Sequence, residues 1–193
     1  SARDITVNVK DNEKLDIYYK GKLVLSDYET ARKKSEKNPY EDLAIAELEG
    51  HTVGKDEEKT DAVTIIKKLG KDDAIYGLGD KPGCLNKRGY SYVNWNTDDP
   101  APHVDSFKSL YKSIPFFIVL GDEYCYGIFA DNTYKTTFDF GYENTDYYFV
   151  EHEKGELDYY FMPGNDMAEV VGLYTSLTGT TPLYQRWIYG SHQ

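Results

Sequence analysis

The sequence contains few cysteines and no long apolar run, and each shortage excludes a class of protein. Its 193 residues include two cysteines, Cys84 and Cys125, in no Cys-x-x-Cys pair. A disulfide-based scaffold is therefore excluded, and we expect two reduced thiols, which are typical of a cytoplasmic protein. No stretch approaches the roughly 18 consecutive apolar residues of a membrane-spanning helix.

Basic residues and histidines are also scarce. The 22 Lys and Arg residues are outnumbered by 33 Asp and Glu residues, so the net charge is -11. This charge repels polyanions, which argues against nucleic acids and anionic membranes as partners and favours a neutral one. The four histidines show no pair at metal-ligand spacing. The sequence therefore predicts no metal site and no cofactor.

A glycine pair at Gly77 and Gly79 raises the question of a nucleotide-binding fingerprint. The next glycine, Gly83, comes one position too late. It also follows a proline, where the fingerprint needs a helix to present its amides to phosphate. We interpret the pair as a turn at the end of a strand.

What the sequence does contain is a series of short apolar runs of strand length, bounded by Gly, Asp, Asn and Lys. The predicted strands cover residues 5–9, 15–19, 23–25, 43–48, 62–69, 75–78, 90–95, 113–120, 124–130, 136–140, 147–150 and 157–162. Residues 121–123 are predicted to form a hairpin turn, and the polar stretches 31–38 and 55–60 are predicted to be solvated loops. Many short strands at near-regular spacing predict a mainly β, antiparallel sandwich.

One helix is predicted near the end of the chain, over residues 166–178. Asn165 is a candidate N-cap, and Gly179 stands where a left-handed residue ends a helix. An apolar face at helical spacing predicts that the helix lies across the sandwich or against a neighbouring domain; its residues are Met167, Val170, Val171, Tyr174 and Leu177. We divide the chain into a sandwich domain, 1–179, and a connector, 180–193.

Tyrosine is unusually frequent, with 19 residues, and one segment combines an indole with acidic groups. In 94–100 (NWNTDDP), Trp95 precedes Asp98 and Asp99. Aromatic rings stack on sugar faces and carboxylates accept hydrogen bonds from hydroxyls, but the same residue types also shape turns. Retaining cleavage of a glycosidic bond needs an acid and a nucleophile whose carboxyl groups lie about 5–5.5 Å apart across the bond. Adjacent residues of an extended chain point to opposite faces, so Asp98 and Asp99 make a poor pair for this reaction.

A series of segments then resembles glycoside hydrolase family 31, the α-glucosidases and α-xylosidases. In order they are IYGLGD at 75–80, LNKRGY at 85–90, WNTDDP at 95–100, LYKSIPFF at 110–117, YGIFADN at 126–132, GELDYY at 155–160, LTG at 177–179 and WIYGSHQ at 187–193. The resemblance covers residues 75–193, and the first 70 or so residues share only the strand pattern. Residues 184–186 depart from it, because a proline-rich connector is more usual there.

This resemblance implies a galactose-mutarotase-like β-sandwich that precedes a (β/α)8 barrel. In the family, both catalytic aspartates lie on the barrel and the mechanism is retaining, so the resemblance implies that no catalytic residue lies in this chain. A loop of the sandwich offers an aspartate to the substrate, and the matching position is Asp98. Trp95 and Asp99 are further candidate substrate-binding residues, and Arg88 is expected to hold the loop by ion pairing.

These considerations lead to three hypotheses of function. The first is the N-terminal accessory domain of a retaining α-glucosidase that removes terminal α-linked glucose from oligosaccharides. Its partners are the α-linked oligosaccharide and its own barrel, residues 187–193 are frayed without that barrel, and a homo-oligomer is left open. The second is a free-standing carbohydrate-binding or structural sandwich. The third, a mutarotase-like epimerase, needs His103 to meet Glu143 or Glu156.

Overall fold

A computed structural model of the protein describes residues 4–33, 62–98, 100, 103–105 and 107–190. Within them are eleven strands: β1 (Ile5–Val9), β2 (Leu15–Tyr19), β3 (Lys22–Lys33), β4 (Val63–Lys68), β5 (Ala74–Gly79), β6 (Ser91–Asn94), β7 (Ser113–Leu120), β8 (Cys125–Ala130), β9 (Thr136–Asp139), β10 (Tyr147–His152) and β11 (Tyr159–Gly164). A helix, α1 (Met167–Thr178), follows, and then a short 3-10 turn (Arg186–Tyr189). The predicted strand at 43–48 and the predicted loop at 55–60 lie outside the described residues.

The described strands form two antiparallel sheets, which confirms the predicted mainly β sandwich. One sheet has the order β1-β2-β3-β4-β10-β9-β6, and the other has the order β11-β8-β7-β5. β7 and β8 form the predicted hairpin, closed by the hydrogen bond from the Gly121 amide to the Tyr124 carbonyl at 2.9 Å. The prediction of a loop over 31–38 is wrong for its first residues, because β3 continues to Lys33 by shifting register against β4.

Aromatic side chains fill the space between the sheets. Along β10, alternate residues are buried, so Tyr148 and Val150 face the core. The Phe117 ring, from the opposite sheet, lies 5.5 Å from the Tyr148 ring and 4.9 Å from the Phe140 ring. Contacts of this kind stabilise a core by about 0.5–1.5 kcal/mol each beyond the burial of apolar area.

Part of the tyrosine content belongs to this core rather than to a binding surface. The hydroxyls of Tyr126 and Tyr148 lie 3.3 Å apart and are buried. Burial raises the pKa of both phenols well above the usual value, so the pair stays neutral. The two hydroxyls are tolerated in an apolar core because one donates a hydrogen bond that the other accepts.

A buried ion pair, which the sequence did not predict, joins β3 to β4. Asp27 and Lys67 are direct cross-strand partners, and the Lys67 ammonium donates a hydrogen bond to the Asp27 carboxylate. Both side chains are buried, with exposed fractions of 9% and 3%. Tyr159 accepts a second hydrogen bond from Lys67 at 3.2 Å, and the other Asp27 oxygen accepts one from the Leu15 amide at 2.9 Å. These additional partners are what a buried charge pair requires.

The predicted helix is present, with a different N-cap. The Asp166 carboxylate accepts a hydrogen bond from the Glu169 amide at 2.8 Å, and it caps the helix in place of the predicted Asn165. The backbone amide of Asn165 instead donates a hydrogen bond to the Glu169 carboxylate at 2.8 Å. Gly179 ends the helix at the predicted position, with a positive φ of 86°, but its ψ of 171° lies outside the predicted left-handed helical region.

The inner side of α1 packs on the four-stranded sheet. Val170 is fully buried, and the Tyr174 ring stacks on Phe116 at 4.0 Å. The rest of the predicted apolar face is more exposed, namely Met167, Val171 and Leu177.

None of the described helices is long and apolar enough to cross a bilayer. Cys84, which is exposed, and Cys125, which is buried, are both free.

Candidate functional site

The candidate site lies at the end of the sandwich where the chain crosses between the sheets. β6 ends at Asn94 in the seven-stranded sheet, and β7 begins at Ser113 in the four-stranded sheet. The segment between them, residues 95–112, is called the crossing loop below. Trp95, Asp98 and Asp99 all belong to it, and Asp99 lies outside the described residues.

Hydrogen bonds join the two halves of the crossing loop to each other and to the strands that flank it. They run from the Thr97 amide to the Leu110 carbonyl at 3.3 Å, from the Ser113 amide to the Asn96 side chain at 2.9 Å, from the Val93 amide to the Lys108 carbonyl at 2.8 Å, and from the Ser109 hydroxyl to the Trp95 carbonyl. Two of these bonds are between backbone groups, and the side chains of Asn96 and Ser109 supply the other two. The loop is held in place at the edge of the sandwich.

Asp98 and Trp95 are both exposed on this loop. The Tyr111 hydroxyl donates a hydrogen bond to the Asp98 carboxylate, which leaves the other carboxylate oxygen for further donors. The Trp95 side chain is 56% exposed. Both residues are therefore placed where a ligand could reach them.

Arg88 does not hold the crossing loop, which corrects the expectation of an ion pair. Its guanidinium donates hydrogen bonds to the carbonyls of Gly70 at 2.6 Å, Asp73 at 3.2 Å and Thr145 at 3.2 Å. A guanidinium offers five donors in a fixed plane, so it can satisfy several backbone carbonyls at once. Arg88 therefore ties together two turns, 70–73 and 145, which are not part of the crossing loop.

The end of β5 lies against the last residue of the crossing loop, Lys112. The predicted turn at Gly77 and Gly79 is a register shift within the strand rather than a turn after it. Gly79 has a φ of +79°, and a Cβ at this position would lie 1.9 Å from the Lys112 carbonyl oxygen. Only glycine allows this approach. Lys112 in turn forms an exposed ion pair with Asp80 at 3.4 Å.

A neutral cleft of about 390 Å3 opens beside the crossing loop. We call it the Asn94 cleft; it is lined by Asn94, Trp95, Asn96, Ser113, Pro115, Asn132, Thr133, Tyr134 and Thr136. These residues are amides, hydroxyls, two aromatic rings and a proline, and none carries a charge. Within the described part of the chain, no group of three or more His, Cys, Asp or Glu side chains could hold a metal ion.

Two lining residues of this cleft, Asn94 and Thr136, belong to a row of buried polar residues that continues to His152. Asn94, Thr136 and His152 are direct cross-strand neighbours on β6, β9 and β10. The Thr136 hydroxyl lies 2.8 Å from His152 Nδ1, and burial lowers the pKa of this histidine. The sequence analysis missed the row. The available signal was that Asn94 is in phase with the core residue Tyr92, so that an amide stands at an inward position.

The chain is similar to proteins of known family. The family described as "Glycosyl hydrolase 31 N-terminal galactose mutarotase-like domain" matches residues 2–139. Alpha-glucosidase 2 of Bacillus thermoamyloliquefaciens is 44% identical over 131 residues, which are 68% of this chain and 16% of that protein. Alpha-xylosidase XylQ of Lactiplantibacillus pentosus is 34% identical over 122 residues, which are 63% of this chain and 15% of that protein.

Solved structures agree with this assignment. A GH31 dextranase of Flavobacterium johnsoniae complexed with isomaltotriose has a TM-score of 0.67 and 37% identity, over 90% of this chain and 18% of that one. The cycloalternan-forming enzyme of Listeria monocytogenes, at 20% identity and a TM-score of 0.74, shares the fold over 98% of this chain and 17% of its own. The chain thus spans less than a fifth of these relatives. It belongs to the N-terminal galactose mutarotase-like domain family of glycoside hydrolase family 31.

Proposed function

We propose that the chain is the N-terminal accessory domain of a retaining α-glucosidase that hydrolyses terminal α-linked glucose from oligosaccharides. The observation that carries this proposal is the exposed Asp98 carboxylate, held by Tyr111 on a loop that is tied to both sheets. The 44% identity to an alpha-glucosidase supports the choice of substrate. The matched length, 16% of that relative, supports the assignment as one domain of a larger protein.

The role of the loop follows from its chemistry. A carboxylate accepts hydrogen bonds from two neighbouring sugar hydroxyls, and each such charge-assisted bond contributes about 1.5–3 kcal/mol. The exposed Trp95 indole offers a flat apolar face to the C–H side of a pyranose. Asp99 is a further candidate contact. Bond cleavage is assigned to two carboxyl groups about 5–5.5 Å apart on the barrel, outside these 193 residues.

The barrel is the proposed partner of the end of the chain. In the connector, 180–193, the described side chains include several large exposed apolar groups: Leu183, Trp187 and Tyr189 have exposed fractions of 94%, 66% and 63%. The outer side of α1 adds Val171 and Leu177. An apolar surface of this kind usually marks an interface, and the proposed accessory role supplies the domain that would cover it.

The proposed location of the protein is the cytoplasm, which is supported by the free thiols of Cys84 and Cys125.

The alternative function, a free-standing carbohydrate-binding module, is supported by the exposed Trp95 beside a neutral cleft. The length of the parent gene distinguishes the two functions, because only the enzyme requires several hundred residues in addition to this domain.

The experiment compares the parent protein with the 193-residue chain on an aryl α-glucoside. We expect the parent protein to release an α-configured product, detected by proton NMR before mutarotation, and the chain alone to release none. Release of a β-configured product would contradict the retaining mechanism. Hydrolysis by the chain alone would contradict its accessory role.

A further inference from the structure

The Asn94 cleft contains buried polar atoms that no described residue satisfies. Asn94 is 7% exposed, and neither its Nδ2 nor its Oδ1 has a hydrogen-bond partner among the described residues. The Oγ of Ser113, at the start of β7, is likewise buried without a partner. Native proteins rarely leave such groups unpaired, because each unpaired group is costly.

The two side chains approach the cleft from opposite sheets. Asn94 is in phase with the core residue Tyr92 on β6, and the Oγ of Ser113 at the start of β7 is buried, so both side chains face the interior. Further along β6 and β7 the residues that face the core are apolar, among them Tyr92 and Phe117. Here the sandwich has one amide donor, one amide acceptor and one hydroxyl, and this end of the core is therefore polar.

The cleft selects against a charged ligand. All nine lining residues are uncharged, in a chain whose residues are 28% charged. Its volume of about 390 Å3 falls in the range of small-molecule sites, roughly 300–1,000 Å3. Trp95 and Tyr134, which are 56% and 51% exposed, line the opening. Amides and hydroxyls on the wall with two rings at the rim fit a pyranose, which presents hydroxyls at its edge and C–H groups on its faces.

We propose that the Asn94 cleft binds one sugar unit of a neutral α-glucan, with the Asn94 amide and the Ser113 hydroxyl bonding its hydroxyls and Trp95 stacking on its ring. This inference rests on the proposed function for the class of ligand, and it adds a subsite distinct from Asp98, which does not line the cleft. Trp95 is shared by the two sites. An oligosaccharide held in the cleft would thus be anchored beside the loop that presents Asp98.

The test is a titration of the isotope-labelled 193-residue chain with maltotriose and isomaltotriose, followed by amide chemical shifts. We expect saturable shifts at residues 94–96, 113 and 132–136, with a Kd on the order of 1 mM. Asn94→Leu and Ser113→Ala are each expected to weaken binding at least about tenfold. Tyr142→Ala, which removes an exposed ring outside the cleft, is the matched control and should bind like the unchanged chain.

Stability measurements separate binding from folding. Ser113→Ala removes a hydroxyl that has no partner, so its thermal midpoint should be equal to or higher than that of the unchanged chain, while binding is lost. The proposal would be overturned if no shifts saturate. It would also be overturned if Asn94→Leu and Ser113→Ala bind the oligosaccharides as tightly as the unchanged chain does. The hydrolysis experiment on the parent protein is independent, so either proposal can fail while the other stands.

Discussion

The Tyr111 hydroxyl donates a hydrogen bond to the Asp98 carboxylate, although the two residues are 13 positions apart in the chain. The bond joins the first half of the crossing loop to its second half. It fixes the direction of a carboxylate that is otherwise exposed. Any role of Asp98 in substrate binding therefore depends on Tyr111 as a positioning residue.

The first prediction concerns this pair. In the parent enzyme, Asp98→Ala should lower kcat/KM for an α-glucoside by about tenfold or more, because a charge-assisted hydrogen bond to the substrate is lost. Tyr111→Phe should lower it less, since the carboxylate remains. Thermal midpoints should stay within a few degrees. Asp122→Ala, at the hairpin on the far end of β7, is the control, and an unchanged kcat/KM in Asp98→Ala would remove Asp98 from the site.

The second prediction tests the support beneath the loop. Gly79→Ala should destabilise the chain far more than Gly21→Ala, because both glycines have a φ of +79° but only Gly79 meets a neighbouring atom. The shared φ costs about 1–2 kcal/mol in each variant, so the difference reports the contact with the Lys112 carbonyl. Urea unfolding measures both free energies. Equal losses would show that the backbone moves away without cost.

The third prediction concerns the ion pair of Lys67 and Asp27. Lys67→Met should lower the free energy of unfolding by about 3–5 kcal/mol, because it leaves a buried carboxylate unpaired. Adding Asp27→Leu should restore part of the loss, though not all, since the Leu15 amide then lacks its acceptor. A loss below about 1 kcal/mol for the single variant would mean that water reaches the pair.

The fourth prediction is a pH dependence of stability. Burial lowers the pKa of His152 in the folded state, so below its unfolded value of about 6.5 the unfolded chain binds the proton first. Stability is therefore fully present above pH 6.5 and decreases as the pH falls toward the folded pKa. Between pH 7.5 and 5.5 the loss from this group is at most about 1.4 kcal/mol.

The variant His152→Gln isolates this term from the other titrating groups. Its free energy of unfolding should decrease less between pH 7.5 and 5.5 than that of the unchanged chain, as measured by urea denaturation at both pH values. If the free energy of unfolding decreased equally with pH in the variant and the unchanged chain, His152 would become protonated in the folded state as readily as in the unfolded one.

Strand positions were predicted well where a short run rich in apolar residues is bounded by polar or turn-forming residues. β1, β2 and β7 have the predicted bounds. β3 was predicted too short because its second half is polar and charged, and there the register shifts against β4 replace regular alternation. A burial pattern that depends on such shifts cannot be read from one strand alone.

The contacts of the site were predicted less well than its residues. Asp98 and Trp95 were chosen from their chemistry and from the family resemblance, and both are exposed on the crossing loop. The partner of Asp98 was not found, because a loop contact between residues far apart in the chain follows no period. Arg88 was assigned to the wrong contact for the same reason, since its carbonyl acceptors come from distant turns.

The crossing loop starts on one sheet and ends on the other. Its two anchor points, Asn94 and Ser113, therefore belong to separate layers, and the distance between them depends on how those layers pack. A substitution that thins or swells the core at Phe117 would change that distance and so displace Asp98 without touching the loop. Under the proposed role of Asp98 in substrate binding, we therefore expect core variants of this domain to alter the selectivity of the parent enzyme.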